Sequence, residues 1–193
     1  MQSYSFKVSP PPDLTILEIV GERIKLLSIN PAYAEEIFKE FTADIIRYML
    51  PKAPEHISET EAFISASQKG MREAYEVVTI IVDKASGEFL GCCGLHGKGR
   101  LRTPEFGIWL KRSAHGNHYG GEALRTLGSW AMKNIDLDYV VYPVDRMNVP
   151  SRKIPESLGG IIVHEKMVPT MRDGFLDEIV YKIEPKALKR DDV

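Results

Sequence analysis

The sequence predicts one mixed α/β domain, an open sheet with helices on its faces. Three observations carry this. The hydrophobic period switches repeatedly between the alternation of a half-buried strand and the three-to-four spacing of a helix. The resulting order is strand, two helices, three antiparallel strands, helix, strand, helix and two strands. At 193 residues, 44% apolar and 27% charged, the chain suits one domain with a substantial core better than two. No internal repeat or low-complexity linker divides it.

The elements follow in order. Residues 1–13, with Pro10, Pro11 and Pro12, read as a flexible arm, 14–185 as the domain, and 186–193 (KALKRDDV) as a solvated tail. TILEIVGERIKLLSI (15–29) holds two β-branched runs around Gly21, a strand pair or a bent strand. Tyr33, Ala34, Ile37, Phe38 and Phe41 recur at helical spacing. A second helix is predicted near Ser58, where Ser58 and Glu61 have the spacing of a capping box. EVVTIIVD (76–83), KASGE and FLGCCGLHG (89–97) form a hairpin, and EFGIWL (105–110) a third strand. Tyr119, Ala123, Leu124, Leu127, Trp130 and Ala131 share one helical face that ends near Asn134. YVVYPV (139–144) is a strand in which Pro143 marks an incompletely paired position. A short helix over 150–158 stops at Gly159-Gly160, and IIVHEKM with LDEIVYKI closes the chain as a strand pair.

Charge and composition exclude several function classes. Twenty-five basic against 27 acidic residues give a net charge of −2, with no general attraction to nucleic acid. No apolar run approaches the roughly 20 residues that span a bilayer, and the N-terminus lacks the apolar core of a signal peptide. A cytoplasmic location and no membrane partner are expected. Cys92 and Cys93, the only cysteines, are adjacent in an apolar run and read as reduced, packed strand residues.

The chemistry-bearing stretch is HGNHYGGEAL (115–124), a Gly-rich turn running into a helix. Such a turn presents unpaired N–H groups and the positive end of a helix dipole to one small volume, which suits a phosphate or pyrophosphate. Gly116, Gly120 and Gly121 remove side chains that would block close approach, and His115 and His118 add donors. Two other readings stand beside this one. The glycines can serve only tight turning and packing, and His115, His118 and Glu122 can share a face as metal ligands, although no second ligand cluster accompanies them. No metal is expected.

FGIWLKRSAHGNHYGGEALRTL resembles the acetyl-CoA-binding segment of the GNAT N-acetyltransferase superfamily, and more closely its branch of ribosomal-protein N-terminal acetyltransferases. Gly107-Ile108-Trp109-Leu110, the loop 115–120 and Glu122-Ala123-Leu124 carry the match. NVPSRKIPESLGG adds a second match through Asn148, Ser151 and Gly159. GERIKLLSI and ADIIRYMLPKAPEHISETEAFI also look like that branch, so the resemblance covers roughly 14–184. His115 stands where the branch has Arg or Gln, His118 where it has Gly, and Gly160 where it has Phe. Pro155 occupies the place of the Tyr acid of many superfamily members.

The resemblance implies a twisted, mostly antiparallel sheet that splays between two parallel strands, with acetyl-CoA in the splay. Backbone groups near Trp109, Leu110 and Lys111 would meet the pantetheine arm. Residues His115, Gly116, Asn117, His118, Tyr119, Gly120 and Gly121 would cradle the pyrophosphate. Asn148 and Ser151, with Lys153 nearby, would assist the cofactor. The implied reaction is direct attack of a primary amine, on a protein N-terminus or a small molecule, on the thioester. Glu105 is the first candidate for the base and Ser151 for the acid that protonates the thiolate, with His96 a weaker base candidate. The acceptor would enter between Tyr48, Met49 and Lys52 on one side and Met171, Arg172 and Phe175 on the other. The rival reading is a non-catalytic acyl-CoA-binding or regulatory module of the same fold. A homodimer is what the resemblance implies for assembly.

Overall fold

The computed structural model describes residues 2–188. Strands β1 (Glu18–Val20) and β2 (Ile24–Ser28) form the first hairpin, followed by α1 (Ala34–Glu40) and α2 (Ile57–Arg72). Then come β3 (Glu76–Asp83), β4 (Phe89–His96), β5 (Glu105–Leu110), α3 (Tyr119–Asn134), β6 (Val140–Asp145) and α4 (Val149–Ser157). Strands β7 (Ile161–Pro169) and β8 (Phe175–Ile183) and the short α5 (Pro185–Leu188) end the described chain.

The strands make one eight-stranded sheet in the order β1-β2-β3-β4-β5-β6-β8-β7. Every neighbouring pair is antiparallel except β5 and β6, which run parallel and meet at the single register position Glu105–Val141. The expected mixed sheet with a splay between parallel strands is what forms. Val77 through Val82 are all buried, so β3 is covered on both faces, since successive strand residues point to opposite sides.

Pro143 explains itself at the splay. Val141 donates its N–H to Pro104 O at 2.9 Å, toward β5. Two residues on, the position facing the same way lies beyond the last β5 pairing. A residue without an N–H leaves no orphan donor there. Gly91 marks another special place: its φ is +154°, and an added Cβ would lie 2.2 Å from Trp109 O on β5. Cys92 and Cys93 are buried strand residues, as expected.

Three expectations need correction. The N-terminal arm is docked: Tyr4 is 4% exposed, its N–H donates to Ala74 O at 2.6 Å and its hydroxyl to Leu95 O at 3.1 Å. Phe6 further bridges to Ile135 and Lys7 N–H donates to Asn134 O at 2.7 Å, so the C-terminal end of α3, not solvent, receives this segment. The second helix starts at Ile57, and Glu59, not Glu61, closes its first turn by accepting from the N–H groups of Glu55 and His56. Of the expected tail, Leu188 is fully buried against Gly128 and Phe106, while 189–193 lie outside the described residues.

Candidate active site

Because β5 and β6 part after one pairing, a cleft of about 1330 Å³ opens between them. The turn before α3, the start of α4 and residues of the 45–51 loop complete its walls.

At one end the 16-residue helix α3 begins. His118 caps it in the left-handed region at φ +62°, and Gly116 precedes it at φ +80°. His118, Tyr119, Gly120 and Gly121 line the cleft, so the first turn of α3, whose N–H groups have no acceptor within the helix, lies at its wall. Nothing lies within 4 Å of a Cβ built on Gly116 or Gly121, whereas Gly120 would meet Ile154 Cδ1 at 3.0 Å. Thus Gly120 serves packing, and the other two leave open space over backbone. The loop is held from within: Asn117 Nδ2 donates to His115 O at 3.2 Å and His115 Nε2 to Leu110 O at 2.9 Å. Glu122, one of the three weighed as metal ligands, instead accepts from Arg23 N at 2.7 Å and Arg23 Nε at 2.9 Å. Among the described residues no three His, Cys, Asp or Glu side chains gather to hold a metal ion.

In the middle of the cleft stand Ser151, Tyr142 and Asn148. Asn148 caps α4 by accepting from Ser151 N at 3.3 Å, so Ser151 is relieved of capping. Its hydroxyl lies 2.7 Å from the Tyr142 hydroxyl. Burial pushes the Tyr142 phenol up to about 12, which keeps it protonated. Lys153 lines the same wall. Pro155, buried within α4, offers no N–H to the Ser151 carbonyl one turn back. An added Cβ on Gly160 would meet Pro155 O at 2.8 Å, so this chain has no room for the branch's Phe.

At the far end Glu105, His96, Tyr48 and Met49 converge. Glu105 accepts from Arg100 Nη1 at 3.2 Å. Burial raises its pKa from the ordinary glutamate value, Arg100 opposes this, and the charge of Glu178 adds to it. The His96 ring leans over two glycines, since a Cβ on Gly94 or Gly107 would approach Nε2 to 2.9 or 3.0 Å. Its Nδ1 lies 3.6 Å from Glu76 Oε1. The mouth is clasped: Met171 donates its N–H to Leu50 O at 2.8 Å, and Arg172 Nη2 donates to Met49 O at 2.9 Å.

The sequence profile of the acetyltransferase (GNAT) domain matches residues 23–161, well over half the chain. The chain belongs to the GNAT acetyltransferase family. Among solved structures, Mycobacterium smegmatis RimJ in complex with CoA-disulfide superposes with a TM-score of 0.78 at 17% identity, covering 90% of each chain. RimL, the ribosomal L7/L12 α-N-protein acetyltransferase, gives 0.76 at 13% identity, covering 88% of this chain and 94% of its own. The microcin C7 self-immunity acetyltransferase MccE, in complex with acetyl-CoA and AMP, gives 0.74 at 19%, covering 84% of this chain and 93% of its own. At such identities these are likenesses of fold. A comparison with curated protein sequences finds no significant match.

Within this GNAT fold, six sequence-predicted residues stand away from the cleft wall: Lys52, Met171 and Arg172 of the flanking loops, and Lys111, Asn117 and Phe175. Lys111 pairs its ammonium with Glu88 and gives its N–H to Leu90 O at 2.8 Å, leaving neither for a cofactor. Asn117 braces the loop from behind. Phe175 is 67% exposed, and its neighbour Leu176 lines the cleft instead. Conversely Tyr142, Asp145 and Glu178 line it and were not singled out. Glu178 had a readable signal: in LDEIVYKI it shares the inward alternation of Leu176 and Val180, an acid in a core position. Among the described residues no helix is long and apolar enough to cross a membrane.

Proposed function

We propose that this chain moves the acetyl group of acetyl-CoA to the primary amine of an acceptor, a protein N-terminus or a small molecule. One observation carries the reading: the left-handed turn and the first turn of α3, whose N–H groups have no partner within the helix, line a cleft made by the parting of β5 and β6. Open space at Gly116 and Gly121 fits a pyrophosphate resting on backbone. Acetyl-CoA supplies the thioester; Trp109 and Leu110 at the end of β5, with Asn148, line the path of its pantetheine arm.

In this reaction the amine nitrogen bonds to the thioester carbonyl carbon and the C–S bond breaks. Glu105, its affinity for a proton raised by burial, takes the proton of the incoming ammonium and passes it to solvent. Tyr142, held protonated, donates to Ser151, which turns the Ser151 proton toward the departing thiolate, and the proton that the nitrogen sheds as the amide forms restores Ser151. The test is calorimetric titration with acetyl-CoA, with dephosphorylated pantetheine as control, followed by thiol release over a panel of amines. Binding that requires the phosphates, with thiol release, is the expected result. No binding even at millimolar acetyl-CoA would end the transferase reading.

A second reading, a non-catalytic acyl-CoA-binding module, draws on one contact. The His115 ring occupies the Leu110 carbonyl at the cleft wall, where an extended cofactor arm would seek hydrogen bonds. Binding without thiol release for any amine favours it.

A further inference from the structure

Three carboxylates reach the amine end of the cleft: Glu105, Asp145 and Glu178. Their hydrogen bonds distinguish them. Asp145 is fully occupied, accepting from Met147 N at 2.8 Å and Asp177 N at 3.1 Å. Glu105 accepts from Arg100. Glu178 is the deepest, its side chain 6% exposed, and its Oε1 receives no hydrogen bond. A buried carboxylate oxygen without a hydrogen-bond donor is costly, and such a group in a cleft wall is suited to a cationic ligand.

One cation does stand near. Lys166, directly across from Glu178 in the β7–β8 register, brings Nζ to 3.0 Å of Oε1 but outside hydrogen-bonding geometry. Lys166 is 48% exposed on the outermost strand and comes from a second, smaller cleft of about 240 Å³. Glu105, Pro143 and Glu178 line both clefts, so the two acids, with Pro143 on the strand between theirs, form the partition between them. An alkylammonium thus already sits at Glu178, poorly aligned and tethered to a long side chain that loses rotamer freedom by staying.

We infer that Glu178 is the carboxylate that receives the acceptor's alkylammonium group, and that Lys166 is a built-in competitor for that place. The inference rests on the acetyltransferase reading and adds to it the residue that recognises the acceptor's charge. Glu178 binds and orients the charged amine beside Glu105, which removes the proton. A neutral isostere of the amine has no such anchor.

The test uses n-butylammonium as the probe, titrated calorimetrically into the whole protein loaded with CoA. Glu178→Gln keeps the shape and removes the charge, and should weaken butylammonium binding by about tenfold or more. Lys166→Met should tighten it by about tenfold by removing the rival charge. A purely structural ion pair predicts the opposite for Lys166→Met: lost stability and no gain in amine affinity. This half-exposed position also keeps the test alive should Glu178→Gln fail to fold. Equal affinities in the wild type and Glu178→Gln, an unchanged or weaker Lys166→Met, or no binding to either the wild type or Lys166→Met would overturn the inference. Acetyl-CoA titrated into the same proteins separates the two proposals. Intact acetyl-CoA binding with unmoved butylammonium affinities sinks only the role of Glu178; no acetyl-CoA binding by the wild type sinks the transferase reading.

Discussion

Glu105 is the residue whose protonation ties stability to chemistry. Burial raises its pKa, so folding favours its protonated form. That contribution to stability is complete below the ordinary glutamate range and is lost as pH rises through the raised value. Glu105→Gln should flatten this fall, seen as urea midpoints that change less with pH than those of the wild type across that window. The same variant should lower kcat about a hundredfold, as removal of a base does. Ser151→Ala should cost about tenfold or more in kcat with little change in the KM of acetyl-CoA, because it removes a proton and no binding surface. Gly91 is a different kind of residue. At φ +154° with Trp109 O in the way, Gly91→Ala should lose more than about 2 kcal/mol in a denaturant titration.

Among the elements, α5 rests on the least evident support. Leu188 fills the space over Gly128, where even a methyl group would come within 2.9 Å of it. Leu188→Ala should therefore cost about 2–5 kcal/mol, measured by chemical unfolding. Sequence reading took this stretch for a tail because four residues carry no period and their partner lies about 60 positions away. The docking of Tyr4 onto Leu95 was hidden for the same reason. By contrast β3, β4, β5 and α3 stood out, since apolar runs bounded by turn residues and six helically spaced apolar residues declare themselves locally. The start of α2 was misjudged by two residues because two glutamates, Glu59 and Glu61, follow plausible caps. Only the fold decides which one meets free N–H groups.

Across the whole molecule, the sheet is two sub-sheets joined at one parallel pairing, and the cleft is the cost of that weak seam. The Arg172 clasp, reaching 123 residues back to Met49, ties the β7–β8 turn to the 45–51 loop. Arg172→Ala should speed amide exchange at Met171 while leaving the global unfolding midpoint within a few degrees, a contrast that exchange mass spectrometry resolves. The cofactor end of the cleft was legible because one contiguous turn, 115–121, builds it from glycines and a helix start. The amine end was legible only in part: Glu105, His96, Tyr48 and Met49 were reached through the family resemblance, whereas Asp145 and Glu178 escaped because β4, β5, β6, β8 and a distant loop build this end together. No stretch of sequence holds enough of them to form a pattern.

The burial of Cys92 and Cys93 in β4 has a practical bearing on all these experiments. Burial holds both thiols well above their usual range, Cys93 at about 12, so neither offers a thiolate to a disulfide reagent while the sheet is closed. A chromogenic thiol assay on the native protein will register released CoA against a silent background. When the background does rise, it will be timing the opening of the central strand.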